Sequence, residues 1–186
     1  NAGVFKSAET RTQDGLDGRF AVNTLAPYLL SQRLLPLLGA SGRVINLSSA
    51  AQSPVDPEAL TGRVSLSDDV DAYAQSKLAI TMWSRHAALA QKEKGPVIMA
   101  VNPGSLLGTR MVREGFGVSG KDIGIGANIL VRMALEDEFE SASGLYFDND
   151  SGQFASPHPD ALDPQKCEDV VRAIEAVLAD SMHLPD

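Results

Sequence analysis

Short apolar runs alternate with helix-length amphipathic stretches along this chain, and that alternation admits few folds. Arg43-Val44-Ile45-Asn46-Leu47, Val97-Ile98-Met99-Ala100-Val101 and Leu145-Tyr146-Phe147 read as strands. The second has few polar atoms, as a sheet covered on both faces requires. Leu16, Phe20, Pro27, Leu30, Leu34 and Leu38 recur at steps of three, four or seven, which predicts a long amphipathic helix over 14–38. A second helix is expected over 71–94, stopped by Gly95, with Lys92 and Lys94 in the last turn where the helix dipole favours cations. A third is expected over 125–136, with Ile125, Ile129, Met133 and Ala134 on one face. The last starts at Asp163-Pro164, Asp as cap and Pro at the first helical position, with Val170, Ile174, Val177 and Leu178 as its apolar face. Strands separated by long helices indicate an α/β chain with a parallel sheet and right-handed crossovers. The polar stretch over 52–69 reads as a surface excursion, and 105–124 as a loop rich in glycine.

Ligands of such sheets bind beyond the carboxyl ends of the strands. That rule puts Ser48, Ser49, Asn102, Pro103 and Gly104 at one rim. At 186 residues, 44% hydrophobic and 22% charged, the chain is expected to be one globular domain over 1–186. A net charge of -8 without a basic cluster is a poor match to nucleic acid or an anionic membrane. One cysteine, Cys167, excludes an intramolecular disulfide and suits a reducing, cytoplasmic location. No apolar run reaches the ~18 residues of a membrane span, and no stretch reads as a charged-then-apolar leader, so none is expected. The three histidines, His86, His158 and His183, are scattered, so no metal site is expected. Ser49 lacks the G-x-S-x-G setting of a serine hydrolase.

Tyr73 and Lys77 lie four apart on the second helix and share a face. In isolation such a pair is equally an ordinary surface pair. Its chemical reading is specific: a free phenol titrates near 10, and a fixed ammonium favours the phenolate. At an effective dielectric of about 20, a charge 4–5 Å away is worth roughly 3–4 kcal/mol, an upper-range shift of two to three units. That would bring the phenol close to useful for proton transfer at a carbonyl oxygen. Ser49 ends a strand where its hydroxyl can bond the same oxygen, or it is a cap or turn serine. Asn102-Pro103-Gly104 is a rigid turn that lets backbone approach a flat ligand, or a simple turn. Asn23 interrupts the apolar stripe of the first helix. Pro27 has no amide hydrogen, so the carbonyl of residue 23 loses its helical partner. A kinked helix with a buried, satisfied asparagine is the alternative.

Together these residues resemble the short-chain dehydrogenases/reductases. Asn1-Ala2-Gly3 resembles the motif after the family's fourth strand. Phe20-Ala21-Val22-Asn23 resembles the segment of the catalytic asparagine. Val44-Ile45-Asn46-Leu47-Ser48-Ser49 resembles the fifth strand and its serine, and Tyr73-Ala74-Gln75-Ser76-Lys77 the signature helix. Asn102-Pro103-Gly104 with Thr109 resembles the nicotinamide turn. The resemblance implies the C-terminal portion of a Rossmann-like doubly wound sheet, with three strands and flanking helices. It implies NAD or NADP as cofactor, and a small-molecule carbonyl or alcohol as substrate. Tyr73 would be the general acid/base. Lys77 would lower its pKa and bond the nicotinamide ribose, Ser49 would hold the substrate oxygen, and Asn23 would fix a water in the proton relay. Asn1, Ala2, Gly3, Pro103, Gly104 and Thr109 would border the cofactor. The gap from Ser49 to Tyr73 is long for the family and resembles its retinol-dehydrogenase-like and WW-domain-oxidoreductase-like branch. Pro103 to Thr109 holds one extra residue.

The family begins with a strand, a Gly-rich turn and a helix that binds pyrophosphate. Gly115-Phe116-Gly117-Val118-Ser119-Gly120 matches G-x-G-x-x-G, but no apolar strand precedes it, and it reads as a substrate-side loop or lid. The chain is therefore expected to be the catalytic part of a longer oxidoreductase, with its first strand left as a bare apolar edge. A pocket is expected between 52–69 and 105–124. Homo-oligomerisation through the two long helices is the family's habit. A non-catalytic scaffold that keeps the fold is the alternative, and it has no need of Tyr73 and Lys77 together.

Overall fold

The structure, a computed structural model, describes residues 2–6, 9–91 and 95–181. Its helices are α1 (Gly18–Phe20), α2 (Ala26–Leu34), α3 (Pro57–Leu60), α4 (Asp69–Ala90), α5 (Arg110–Phe116), α6 (Gly124–Leu135) and α7 (Pro164–Ser181). Its sheet runs in the order β1 (Arg43–Leu47), β2 (Val97–Asn102), β3 (Tyr146–Asp148), β4 (Gln153–Ala155). The first three strands are parallel, with Asn46, Ala100 and Tyr146 in one row. This is the Rossmann-like α/β arrangement expected, with one strand more than expected. The chain turns back at Gly152 (φ 69°), and β4 pairs antiparallel with β3. Three residues are too short to carry a readable alternation. What holds β4 is Phe154, packed edge-on against Phe147 and Phe139.

Helices cover both faces. Along β2 successive side chains alternate, so Met99 and Val101 join Ile129 and Met133 of α6 and Phe139 in one core. On the other face α4 packs against β1 and β2. The larger core lies between α4, α7 and the first helical stretch, with Phe20, Leu78, Trp83 and Ile174 fully buried. Asp163 Oδ1 accepts from the N–H groups of Gln165 and Lys166 at the start of α7, as its sequence announces. Of the face expected on α6, Ile129 and Met133 are buried, whereas Ile125 and Ala134 are exposed. Lys92 and Lys94 lie outside the described residues.

The helix expected over 14–38 is a composite. It starts at Gly18, after Asp17, whose carboxylate accepts from the Arg19 N–H. It widens into a π-helical turn over Ala21–Leu25, where the Ala26 N–H reaches the Ala21 carbonyl. It ends in a tight 3-10 turn, Leu35–Leu37. Pro27 supplies no N–H, so the regular ladder must give way next to it. The predicted stripe is also divided. Phe20 is buried, but Leu30 and Leu34 are exposed along the free side of β1. The segment 52–69 is more than a surface excursion: α3 packs on α7 and buries Ala59 and Leu60 completely. Two apolar residues inside a polar run are enough to seat one helical turn. Residues 105–124 likewise contain a helix, α5. Among the described residues, no helix is long and apolar enough to cross a membrane.

Candidate active site

The rim at the carboxyl ends of β1 and β2 holds a cavity of about 550 Å³. Ala2, Gly3, Ser49, Tyr73, Lys77, Pro103, Gly104 and Thr109 all line it. Asn1 lies outside the described residues. Residues between Pro103 and Phe116 supply much of the lining, so of the two segments expected to flank the pocket, 105–124 takes part. The stretch 52–69 takes no part, because α3 is drawn away onto α7; Ala51 and Val70, at its ends, do line the cavity.

Alternation along β1 separates the two serines. Asn46 and Ser48 face α4: Asn46 Nδ2 donates to Ser84 Oγ (2.8 Å), and Ser48 Oγ donates to the Lys77 carbonyl (2.9 Å). Ser48 is thus a bolt between strand and helix. Ser49 faces the cavity beside Tyr73, and its hydroxyl makes the Tyr73 phenol easier to deprotonate. Its Oγ also accepts from the Ala51 N–H at 3.1 Å, the turn role weighed for it. Lys77 Nζ donates to the Leu47 carbonyl at 2.8 Å and stands 5.6 Å from the Tyr73 ring centre. The three groups therefore converge, one from a strand end and two from adjacent turns of α4.

The electrostatic expectation needs correction. Burial pushes the Tyr73 phenol above its ordinary value, and the Ser49 hydroxyl opposes that only in part. Burial also pulls the Lys77 ammonium down to about 8. Lys77 is turned to a backbone carbonyl, and loss of water disfavours the charged form of both groups. At neutral pH Tyr73 is a protonated donor.

Asn23 is buried and fully engaged: its Oδ1 accepts from Val4 N (2.9 Å), and its Nδ2 donates to Val4 O (2.8 Å) and Ser76 Oγ (3.0 Å). The side chain is the satisfied asparagine weighed above, and it pins the 2–5 segment to α4. It lines a neighbouring groove of about 390 Å³, which shares Ala2, Leu47 and Lys77 with the first cavity. Thr109 caps α5, its Oγ1 accepting from Val112 N at 3.3 Å. Gly104 takes φ 131°, a conformation open to glycine, beside Leu107. In the G-x-G-x-x-G stretch, Gly115 and Phe116 belong to α5 and Gly117 ends it in the left-handed region, so the stretch closes a helix and opens none.

Three groups at the site escaped the sequence reading. Phe5 is buried edge-on to Tyr73 (centroids 5.3 Å) and stacked on Phe116 (5.1 Å). Tyr146 Oη and Gln52 Nε2 each donate to the Ser49 carbonyl at 3.0 Å. None belongs to a periodic pattern or a motif, so no sequence signal points to them. Among the described residues, no group of three His, Cys, Asp or Glu side chains could hold a metal ion. Cys167 is buried in α7, its thiol pushed up to about 11 by burial.

The short chain dehydrogenase family model matches residues 1–116. Retinol dehydrogenase 13 of Mus musculus is 31% identical over 183 residues, covering 89% of this chain and 54% of that protein. The chain spans about half the length of the curated relatives it matches. A crystal structure from Mycobacterium paratuberculosis superposes with a TM-score of 0.74 at 22% identity, covering 95% of this chain and 64% of that one, a likeness of fold. The landomycin C-6 ketoreductase LanV, crystallised with NADP and rabelomycin, superposes with a TM-score of 0.55 at 27% identity, covering 80% of this chain and 57% of that one.

Proposed function

This chain belongs to the short chain dehydrogenase family, and we propose that it carries the catalytic side of an NAD(P)-dependent oxidoreductase acting on a carbonyl or alcohol. The observation that carries this reading is the convergence of Tyr73, Ser49 and Lys77 on one cavity. Bound against Pro103 and Gly104, a nicotinamide would supply or take the hydride. The residues suit that end of the cofactor: Gly3 and Gly104 put bare backbone on the cavity wall, and Lys77 has donors left beyond the one given to Leu47. The NADP in LanV supports a nicotinamide cofactor.

Tyr73 passes the proton to or from the substrate oxygen, and its raised pKa keeps it protonated for carbonyl reduction at neutral pH. Ser49 donates a hydrogen bond to the same oxygen. Lys77 stabilises negative charge on Tyr73 as it forms and bonds the ribose. Asn23 holds the 2–5 segment beside Lys77 with its side chain, so a water of the proton relay falls to its backbone carbonyl. Any pairing of copies through the long helices must use faces that α7 leaves open, because α7 already covers the outer side of α4.

In the complete gene product, Tyr73→Phe is expected to abolish reduction of an aldehyde and ketone panel, followed at the nicotinamide absorbance. Its affinity for NADPH and NADH should stay within a few-fold. Retained turnover removes Tyr73 from the mechanism. An unsubstituted protein that neither turns over nor binds either cofactor by calorimetry is a scaffold.

A further inference from the structure

Ser49 sits where the sheet stops holding the chain. The ladder between β1 and β2 ends with Ser48 N donating to the Val101 carbonyl at 2.8 Å. Beyond that point a serine would ordinarily be free to turn about its own backbone bonds, and its hydroxyl would swing with it. Here both freedoms are removed. The Ala51 N–H donates to Ser49 Oγ, which holds the side chain. The Ser49 carbonyl accepts from Tyr146 Oη and Gln52 Nε2, both at 3.0 Å, which holds the peptide.

Both donors are themselves fixed. Tyr146 is buried in β3, paired to Ala100 on one side and Ala155 on the other. It occupies the same row as Ala100 and Asn46, and its hydroxyl reaches past β2 to the residue that follows the end of β1. Gln52 is tied at its other end, where Oε1 accepts from the His158 N–H at 3.0 Å. Neither residue lines the 550 Å³ cavity; both act on Ser49 from behind.

We propose that Tyr146 and Gln52 are the positioning pair that aims the Ser49 hydroxyl at Tyr73, an inference that rests on the roles given to Ser49 and Tyr73 above. Neither touches the reacting atoms. Their effect reaches the chemistry through the Ser49 hydroxyl, which favours the Tyr73 phenolate and so opposes the upward push of burial on Tyr73. Loosening Ser49 therefore has a signature that mere destabilisation lacks: the Tyr73 phenol titrates at higher pH.

In the complete gene product, Tyr146→Phe and Gln52→Ala are compared with Ser49→Ala. Two quantities are read: NADPH-dependent reduction of the aldehyde and ketone panel, and the ultraviolet titration of Tyr73, taken as the difference from a matched Tyr73→Phe protein. Each positioning variant is expected to lower kcat roughly three- to tenfold, the size of one lost hydrogen bond. KM for NADPH should stay within about twofold, and the Tyr73 titration should move upward, in the direction of Ser49→Ala. A fall in kcat with the Tyr73 titration unmoved is a packing effect and overturns the proposal. So does no change in either quantity beside a Ser49→Ala protein that shifts both, and the reading of the site then stands. A Ser49→Ala protein that shifts neither overturns the site reading and the proposal together. Should Tyr146→Phe fail to fold, Gln52→Ala, at a half-buried position, decides by the same two quantities.

Discussion

At the scale of single residues, burial overrides the electrostatics that spacing suggests. Tyr73 and Lys77 sit one turn apart, yet the ammonium is 5.6 Å from the ring centre, donates to the Leu47 carbonyl, and is itself stripped of water. Lys77 binds its proton less tightly in the folded chain, at about 8, than unfolded, at 10.5. Between those values the unfolded state holds more protons, so Lys77 adds stability as pH rises through that window and costs most below it. Lys77→Met is accordingly expected to be the more stable protein at neutral pH, by at most about 3 kcal/mol, less the hydrogen bond to Leu47. That advantage shrinks as pH climbs toward about 10. Urea unfolding at the two pH values checks it, and a gap that does not change with pH contradicts the burial account.

At the scale of elements, local chemistry starts the helices and long-range contacts aim them. Asp68 Oδ1 accepts from Val70 N (2.8 Å) and Asp71 N (3.3 Å), which caps α4. Arg19, buried, pairs with Asp17 and Asp69 (both 2.6 Å) and so ties the start of α4 to the start of α1. Asp68→Ala should cost about 1 kcal/mol, the usual worth of such a cap. It should leave turnover nearly unchanged, since Asp68 is a full turn from Tyr73. Thermal unfolding together with the carbonyl assay tests both halves. The capped start of α7 and the three parallel strands were legible because each depends on residues close along the chain; α4 was legible as a helix but not in its bounds, since it starts behind Asp68 and ends at Ala90, short of the stop expected at Gly95. The π-helical turn was half legible, through Pro27. The strand β4 and helices α3 and α5 were not, because three to seven residues are too few for a period to show and their stability comes from what they pack against.

At the scale of the whole molecule, β1 lies at the sheet edge, and the groove beside it is lined by Val44 and Ile45 of the strand and Leu30 and Leu34 of α2. An open strand with apolar neighbours invites pairing with another chain. Light scattering of the 186-residue chain is expected to rise with concentration. Val44→Lys is expected to suppress that rise while leaving the far-ultraviolet circular dichroism unaltered. Equal scattering by both proteins would locate the association elsewhere.

The amino-acid order alone determined the α/β class, the placement of Ser49 at a strand end, and the Tyr73–Lys77 face, since a 3.6-residue period and a two-residue alternation follow from bonded geometry. Only the folded chain decided that Phe5 abuts Tyr73, that Tyr146 reaches Ser49 across 97 positions of sequence, and that the phenol is pushed up and not down. Those outcomes depend on which elements meet and how much water they exclude, and burial is a property of the assembled layers that no local stretch of chain carries.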